Sequence, residues 1–389
     1  MQRIYLDANA TTPVLPEVVE AMRPFFAESF GNPSSAHFHG QHTRSAVEHA
    51  RTSVARLLNV TNKEIVFTSC GTESDNLALT GVLQSFLDSR EPANLITTQI
   101  EHHAVLYAAE ALEKRGIEVT YLAPDSMGLI DPTALEAALK PHTRLVSIML
   151  ANNETGAIQP IGKLARIAKA HNPTLVFHTD AVQAAAKLPL DLSGEFKNVD
   201  LLSLSGHKMY APQGTGVLFV RKGVQLTPLF HGGPHERQRR AGTENVPGIV
   251  ALGRAAELAA EWLADASRIS NLESLCNRLE QGLLAAIPNT TVNAAVAPRV
   301  PNTTNLRFDG IDAESLLIAL DMQGVAAGFG AACMSGATEP SHVLLAMGLT
   351  PAEARSSLRL SLSRLTTTQE IDRALEIIPA AVARLRALS

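Results

Sequence analysis

VDLLSLSGHKMYAPQGTGVLFV, residues 199–220, holds two apolar strands and the short link between them. The first strand, DLLSLS (200–205), runs straight into Gly206-His207-Lys208. The second, GVLFV (216–220), follows a turn rich in Gly and Pro. A parallel pair needs a crossover of about a dozen residues or more, usually helical. This link is too short for that, so the pair is expected to be antiparallel.

Outward from this pair the chain repeats apolar segments of strand length: EIVFTS (64–69), NLITTQ (94–99), EVTYLA (118–123), RLVSIML (144–150) and TLVFHT (174–179). Helical patterns lie between most of them, such as AVLYAAEALEKRG (104–116) and PIGKLARIAKAHN (160–172). This alternation argues an α/β fold, a mainly parallel seven-stranded sheet with helices on both faces.

Past residue 245 the pattern changes. A long helical stretch, VPGIVALGRAAELAAEWLADASR, leads into a second, SNLESLCNRLEQGLLAAI. TTNLRFDG, a helix around AESLLIALDMQG, and SLRLSLS follow. The terminal TQEIDRALEIIPAAVARLRALS has helical spacing and a proline expected to bend it. This reads as a smaller C-terminal α+β domain, with PNTTVNAAVAPRVPNTT as loop and edge strand. The expected division is 14–255 for the large domain, and 1–13 with 256–389 for the small one.

Composition narrows the class. A chain of 389 residues, 46% apolar and 18% charged, is long enough for two or three domains with a large core. A net charge of −5 argues against a general nucleic-acid binder. No apolar run reaches the length of a membrane span. MQRIYLDANATT reads as strand and turn, without the pattern of a signal peptide. Three cysteines make no disulfide framework, so a reducing cytoplasm is the expected compartment.

Lys208 stands at the end of a strand that looks buried. Lysine is rarely buried without a partner or a chemical task. A desolvated lysine has a lowered pKa and can form a Schiff base with a carbonyl. Asp180 ends the strand of LVFHTDAVQ, 28 residues upstream. A lysine and an aspartate on two strand ends are what pyridoxal phosphate needs: an imine partner and an anion for its ring nitrogen.

Other candidates each have a plainer reading. Gly71 and Thr72, in TSCGTE, turn a strand into a helix and offer backbone N–H groups to a phosphate, or merely cap the helix. His102 and His103 follow a strand end, where an imidazole can stack on a ring or simply bond its loop; their spacing does not favour a metal. Asn152 and Asn153 can read a ligand oxygen or form Asx turns. Asp180 can equally cap a helix. The arginines of HERQRRAGTEN (235–245) suit an anion patch, a solvated loop or a subunit contact. Arg359 can bind a carboxylate bidentately or form a structural ion pair. Cys276 has core spacing in LESLCNRLEQGL, and Cys70 sits beside the 70–72 turn. Cys333, among small residues in AAGFGAACMSGATEPSH, is either a reactive thiol or a tight-turn residue.

Taken in order, LDANATTP (6–13), FGNPSSAH (30–37), TSCGTESDN (68–76), EHHAV (101–105), NNETG (152–156), HTDAVQ (178–183), SGHK (205–208), RRAGTEN (239–245), GAACMSG (330–336), EPSHV (339–343) and LRLSLSR (358–364) closely resemble a cysteine desulfurase of the NifS/IscS type. These belong to the class V aminotransferases, fold type I pyridoxal-phosphate enzymes. The resemblance covers essentially the whole chain and is nearer the nitrogenase-associated branch.

The resemblance implies a role for each residue. Lys208 would carry the cofactor and move protons. Asp180 would pair with the ring nitrogen, Gln183 would bond the phenolic oxygen, and His102 would stack on the ring. Thr72, Ser205 and His207 would hold the phosphate, with Gly71 in the same loop. Thr243 would reach the cofactor phosphate of the other subunit, which implies a homodimer. Asn153 and Arg359 would bind the carboxylate of L-cysteine. Cys333 would take the sulfur as a persulfide, release L-alanine, and pass the sulfur to an acceptor such as an iron–sulfur scaffold protein.

The family's usual lead-in to the nucleophile is Ser-Ser-Gly-Ser-Ala-Cys. This chain has Gly328, Phe329 and Ala331 for the three serines, and Met334 after the cysteine. The loop (about 326–342) therefore loses hydroxyls, and Phe329 is expected to pack it against the protein. The competing readings are a selenocysteine lyase, or another class V lyase or transaminase, which would not need Cys333 in the same way. A sulfur-relay scaffold partner without catalysis is also weighed. The set Lys208, Asp180 and Arg359 argues against that last reading.

Overall fold

The computed structural model describes residues 3–330 and 339–388. Twelve strands are present among them: β1 (Ile4–Tyr5), β2 (Ile65–Thr68), β3 (Asn94–Thr98), β4 (Glu118–Leu122), β5 (Thr143–Ser147), β6 (Val176–Asp180), β7 (Leu201–Ser205), β8 (Gly216–Val220), β9 (Thr290–Val292), β10 (Thr303–Phe308), β11 (Val325–Ala326) and β12 (Ser357–Ser361). Seven form the central sheet in the order β2-β8-β7-β6-β5-β3-β4. All seven were legible as apolar segments.

The β7–β8 pair is antiparallel, as its short link requires, and β8 also pairs antiparallel with β2. The remaining pairs are parallel. Six strands therefore run one way and β8 alone runs the other. The carboxyl ends of the six share one edge, where α/β sheets bind ligands.

Residues alternate between the two faces of this sheet. Phe67, Ile96, Val146, Phe177, Leu202 and Phe219 face one apolar cluster, with the helices Phe38–Leu57, Ile161–His171 and Val246–Leu263. Val66, Leu95, Leu145, Leu201 and Leu218 face the other, with Gly71–Ser89 and His103–Glu113. Phe177 and Phe219 are fully buried, each worth about 1.5–3 kcal/mol relative to exposure. Helix Phe38–Leu57 has no counterpart in the sequence reading: histidines and polar residues dilute its apolar face.

A three-stranded sheet, β12-β10-β9, packs on a separate cluster with the helices Ala266–Ala286, Ala313–Asp321 and Thr368–Arg386. β9 is the expected edge strand. The break between the helices ending at Leu263 and starting at Ala266 lies at Asp265, whose side chain accepts from Ser267 N at 3.0 Å. The terminal helix keeps Pro379 inside it. β1 pairs in parallel with β11, and Asp7 bridges to Ser361, so the N-terminal segment runs from the small sheets to the edge of the large one.

Candidate active site

Ten of the twelve residues to which the resemblance gives a role line one cavity at the carboxyl edge of the central sheet. Each arrives on its own element. Gly71 and Thr72 follow β2 and open the helix Gly71–Ser89. His102 follows β3, and Asn153 follows β5. Asp180 ends β6, with Gln183 one turn on. Ser205 ends β7, and His207 and Lys208 come next in a single helical turn. Arg359 enters from β12.

Cys70 caps the helix, its Sγ accepting from Glu73 N at 3.4 Å. The first-turn N–H groups beyond it lack helical partners and favour an anion. A Cβ on Gly71 would lie 3.0 Å from Val182 Cγ2 and 3.3 Å from Ser205 Cβ. A larger residue would make these walls give by a few tenths of an ångström. Arg240 pairs with Glu73 at 2.8 Å just outside it.

His102 satisfies its plain reading and lines the cavity as well. Its Nδ1 accepts from Ala104 N at 3.1 Å. Burial, then the charge of Lys208, pushes its pKa down to about 4, so the ring is neutral. Likewise, Asp180 Oδ1 accepts from Val182 N at 2.8 Å. Burial pushes Asp180 up to about 6, against the pull of that N–H and of Lys208. Asp75, which the sequence reading missed, lines the same cavity; its Oδ1 makes no hydrogen bond among the described residues and lies 3.6 Å from His178 Nε2. Burial, then the charge of Asp180, pushes Asp75 well up. The charge of Lys208 favours the ionised form of Asp180, while the charge of Asp180 disfavours that of Asp75. Behind them, fully buried His178 bonds Ser147 at 2.8 Å and Ser203 at 3.0 Å.

Lys208 Nζ donates to the carbonyls of Asn9 and Ala10. Asn9 is a second residue the sequence reading did not single out, although it lies within LDANATTP. Its carbonyl also accepts from Gln183 Nε2 at 2.9 Å. Its side chain joins Thr303 at 2.9 Å, Asn153 O at 3.1 Å and Asn302 at 3.2 Å. Lys187 Nζ meets Asn9 Oδ1 at 2.9 Å. The signal for Lys187 was a lysine in an apolar run, one helical turn after Gln183.

The two asparagines divide their readings. Asn152 Oδ1 accepts from Glu154 N at 2.9 Å and Thr155 N at 3.0 Å, an Asx turn. Asn153 lines the cavity, and its carbonyl accepts from Arg359 Nη1 at 3.0 Å. Arg359 is 2% exposed. Its Nη2 pairs with Asp7 Oδ1 at 2.7 Å, and its Nε has no partner among the described residues. Gly328 pairs with it through the backbone. A Cβ on Gly328 would lie 2.5 Å from Asp7 Oδ1 and 2.6 Å from Arg359 Nη2. That close approach accounts for glycine at this departure from the family pattern.

Thr243 stands elsewhere, in a cavity lined also by Asn32, Arg44, Arg51 and Glu236. Glu236 forms a two-point pair with Arg51, 2.8 Å on each arm, and accepts from Phe67 N at 3.0 Å. This holds Glu236, Arg237 and Gln238 in the left-handed region, at φ 46°, 56° and 66°. Cys333, Ala331 and Met334 lie outside the described residues. Phe329 is described and packs, partly buried, against the cluster of the small sheet. Cys276 is core, its thiol pushed up to about 12 by burial.

The model of the class-V aminotransferases matches residues 4–374. The chain belongs to the class-V aminotransferase family. It is 51% identical over 389 residues to "Cysteine desulfurase 2" of Trichormus variabilis, covering 100% of this chain and 95% of that one. It is 48% identical to "Cysteine desulfurase IscS" of Methanosarcina thermophila, covering 99% and 93%. Among solved structures, a "NifS-like protein" superposes with a TM-score of 0.92 at 38% identity, covering 99% of this chain and 100% of that one. "SspA in complex with cysteine" gives 0.81 at 37%, covering 94% and 100%. The class-V aminotransferases are pyridoxal-phosphate enzymes of fold type I, and this chain is one of them. Its cavity fits that group: a helix start at Gly71 for the phosphate, the buried acid Asp180 for the ring nitrogen, and the amine of Lys208 all line it. Among the described residues, no helix is long and apolar enough to cross a membrane.

Proposed function

We propose that this enzyme is a cysteine desulfurase that converts L-cysteine to L-alanine and leaves the sulfur on Cys333. The carrying observation is the unpartnered, buried Nε of Arg359 in the same cavity as Lys208. A donor orphaned in this way costs about 1–3 kcal/mol until an acceptor arrives, and the carboxylate of an amino acid is such an acceptor. The names of the relatives above support cysteine as that amino acid.

Pyridoxal phosphate, when bound, supplies an electron sink for chemistry at the substrate Cα. Gly71, Thr72, Ser205 and His207 would hold its phosphate. Asp180 would pair with the ring nitrogen, its ionised form favoured by Lys208, and the neutral His102 ring would pack on the cofactor. Arg359 and Asn153 orient the substrate carboxylate. The Lys208 amine moves the proton at Cα. The Cys333 thiolate attacks the substrate sulfur: the substrate C–S bond breaks and an S–S bond forms. The substrate Cβ takes up the proton that the Cys333 thiol gave up, so L-cysteine plus thiol gives L-alanine plus persulfide with no outside oxidant.

The remaining parts of the proposal go together. Residues 14–255 act as a large domain, and 1–13 with 256–389 as a small one; the separate apolar clusters support this. Thr243 serves the cofactor of a second subunit in a homodimer. Its position in a cavity apart from Lys208 supports that. The persulfide sulfur passes to an acceptor such as an iron–sulfur scaffold protein, in the cytoplasm.

The test is incubation of the yellow protein with L-cysteine and a reductant, assaying alanine and sulfide together. Equal amounts of both are expected, and neither appearing would overturn the proposal. Cys333→Ala should keep the colour and lose sulfide release. A variant that still releases sulfide points to a lyase that does not use Cys333.

A further inference from the structure

Lys187 is a buried lysine that the proposed chemistry leaves without a task. Both of its hydrogen-bond partners among the described residues are amide oxygens, Asn9 Oδ1 at 2.9 Å and Gln183 Oε1 at 2.8 Å. A glutamine amide is nearly symmetric in shape, and its partners decide which end faces a ligand. An amine in this place decides it for Gln183. As an ammonium it has donors only; as a neutral amine both its hydrogens are spent on these two oxygens. Oε1 is therefore held on the Lys187 side.

Nε2 is left on the other side, where it donates to Asn9 O at 2.9 Å. That carbonyl also accepts from Lys208 Nζ. One backbone oxygen thus brings the Gln183 amide nitrogen and the Lys208 amine together at the cavity wall. The second N–H of Nε2 remains for a ligand. On a pyridoxal ring the phenolic oxygen is borne by the carbon next to the one that carries the aldehyde. A donor beside the lysine is placed to meet it.

We propose that Lys187 is a positioning residue, which turns the Gln183 amide so that Nε2 faces the phenolic oxygen of the cofactor. This rests on the reading that the cavity holds pyridoxal phosphate. The groups around Lys187 are Lys208 and Arg359, whose charges oppose its own after the larger effect of burial. Tyr210 and Arg364 line the small cavity beside it. None of these is a carboxylate, so Lys187 acts here as a donor and not as half of an ion pair.

The measurement is the pH midpoint of the absorbance change of the bound cofactor, in the holoenzyme without substrate. A donor on the phenolic oxygen competes with the proton on the neighbouring lysine-linked nitrogen, which lowers that nitrogen's proton affinity. In Lys187→Met the midpoint should rise by about half a unit or more, roughly threefold in proton affinity. In a Gln183→Leu background the same substitution should have no further effect. No shift in Lys187→Met, or an equal shift in both backgrounds, would overturn the proposal, the latter by revealing a direct charge effect. If Lys187→Met does not fold, Gln183→Leu must raise the midpoint while Lys187→Gln, which restores a donor, must not. A wild type that binds the cofactor but makes no alanine from cysteine sinks the desulfurase reading and leaves this measurement valid.

Discussion

Arg359 Nη2 meets Asp7 Oδ1 at 2.7 Å, so the guanidinium is held in place before any ligand arrives. Asn153 O fixes Nη1 at 3.0 Å. The guanidinium is thus oriented by the protein, and a ligand need not pay to order it.

Arg359→Lys should raise KM for L-cysteine by roughly 10- to 150-fold, the loss of about 1.5–3 kcal/mol for a bond to a charged group. A lysine cannot present the planar fork. Cofactor affinity should be unchanged. Steady-state kinetics with a parallel cofactor titration checks both, and a normal KM would remove Arg359 from the substrate site.

Gly71→Ala should loosen the cofactor rather than the fold. The new Cβ would press on Val182 Cγ2 at 3.0 Å and Ser205 Cβ at 3.3 Å, moving the phosphate walls apart. Roughly tenfold weaker retention is expected, about 1.4 kcal/mol. Equilibrium dialysis of the cofactor, beside a thermal melt that stays near wild type, reads it.

Glu101 makes stability depend on pH. Burial pushes its carboxyl up to about 8 from an ordinary 4.5, against bonds from Met149 N and Thr98. Its Oε2 is buried without a partner among the described residues. Between those two values the folded protein holds a proton that the unfolded chain has lost. Stability therefore falls as pH rises through that window, by up to about 1.4 kcal/mol per unit. Glu101→Gln should flatten the slope, as denaturant unfolding at a series of pH values would reveal.

Phe329→Ser should lower stability by about 1–2 kcal/mol, a part of the worth of a fully buried aromatic, since Phe329 packs only partly buried on the small-sheet cluster. It should also slow single-turnover persulfide formation on Cys333, four residues on. A melt and a rate both equal to wild type would show that this departure from the family is silent.

The seven central strands were legible because each is an apolar run between turns or helices, and the antiparallel β7–β8 pair because its link is short. Nine of the site residues met in one cavity because they follow strand ends, which a parallel sheet gathers on one edge; Arg359 reaches the same cavity from the middle of β12 in the small sheet. Asn9, Asp75 and Lys187 escaped notice for one shared reason. Each acts through partners distant in sequence or across a helix turn, and a local pattern carries no trace of them. The helix Phe38–Leu57 was hidden by its polar residues. Asn152 and Asn153 show the limit of motif reading: adjacent and alike, one builds a turn and the other faces the cavity.

Asn9 sets a timetable for the newborn chain. It leaves the ribosome before each of its partners at 153, 183, 187, 302, 303 and 361. Such distant pairings are slow to form. The lysine cage at Asn9 closes only after residue 361 has emerged. Fragments released early would lack it, and so would be colourless in the presence of the cofactor.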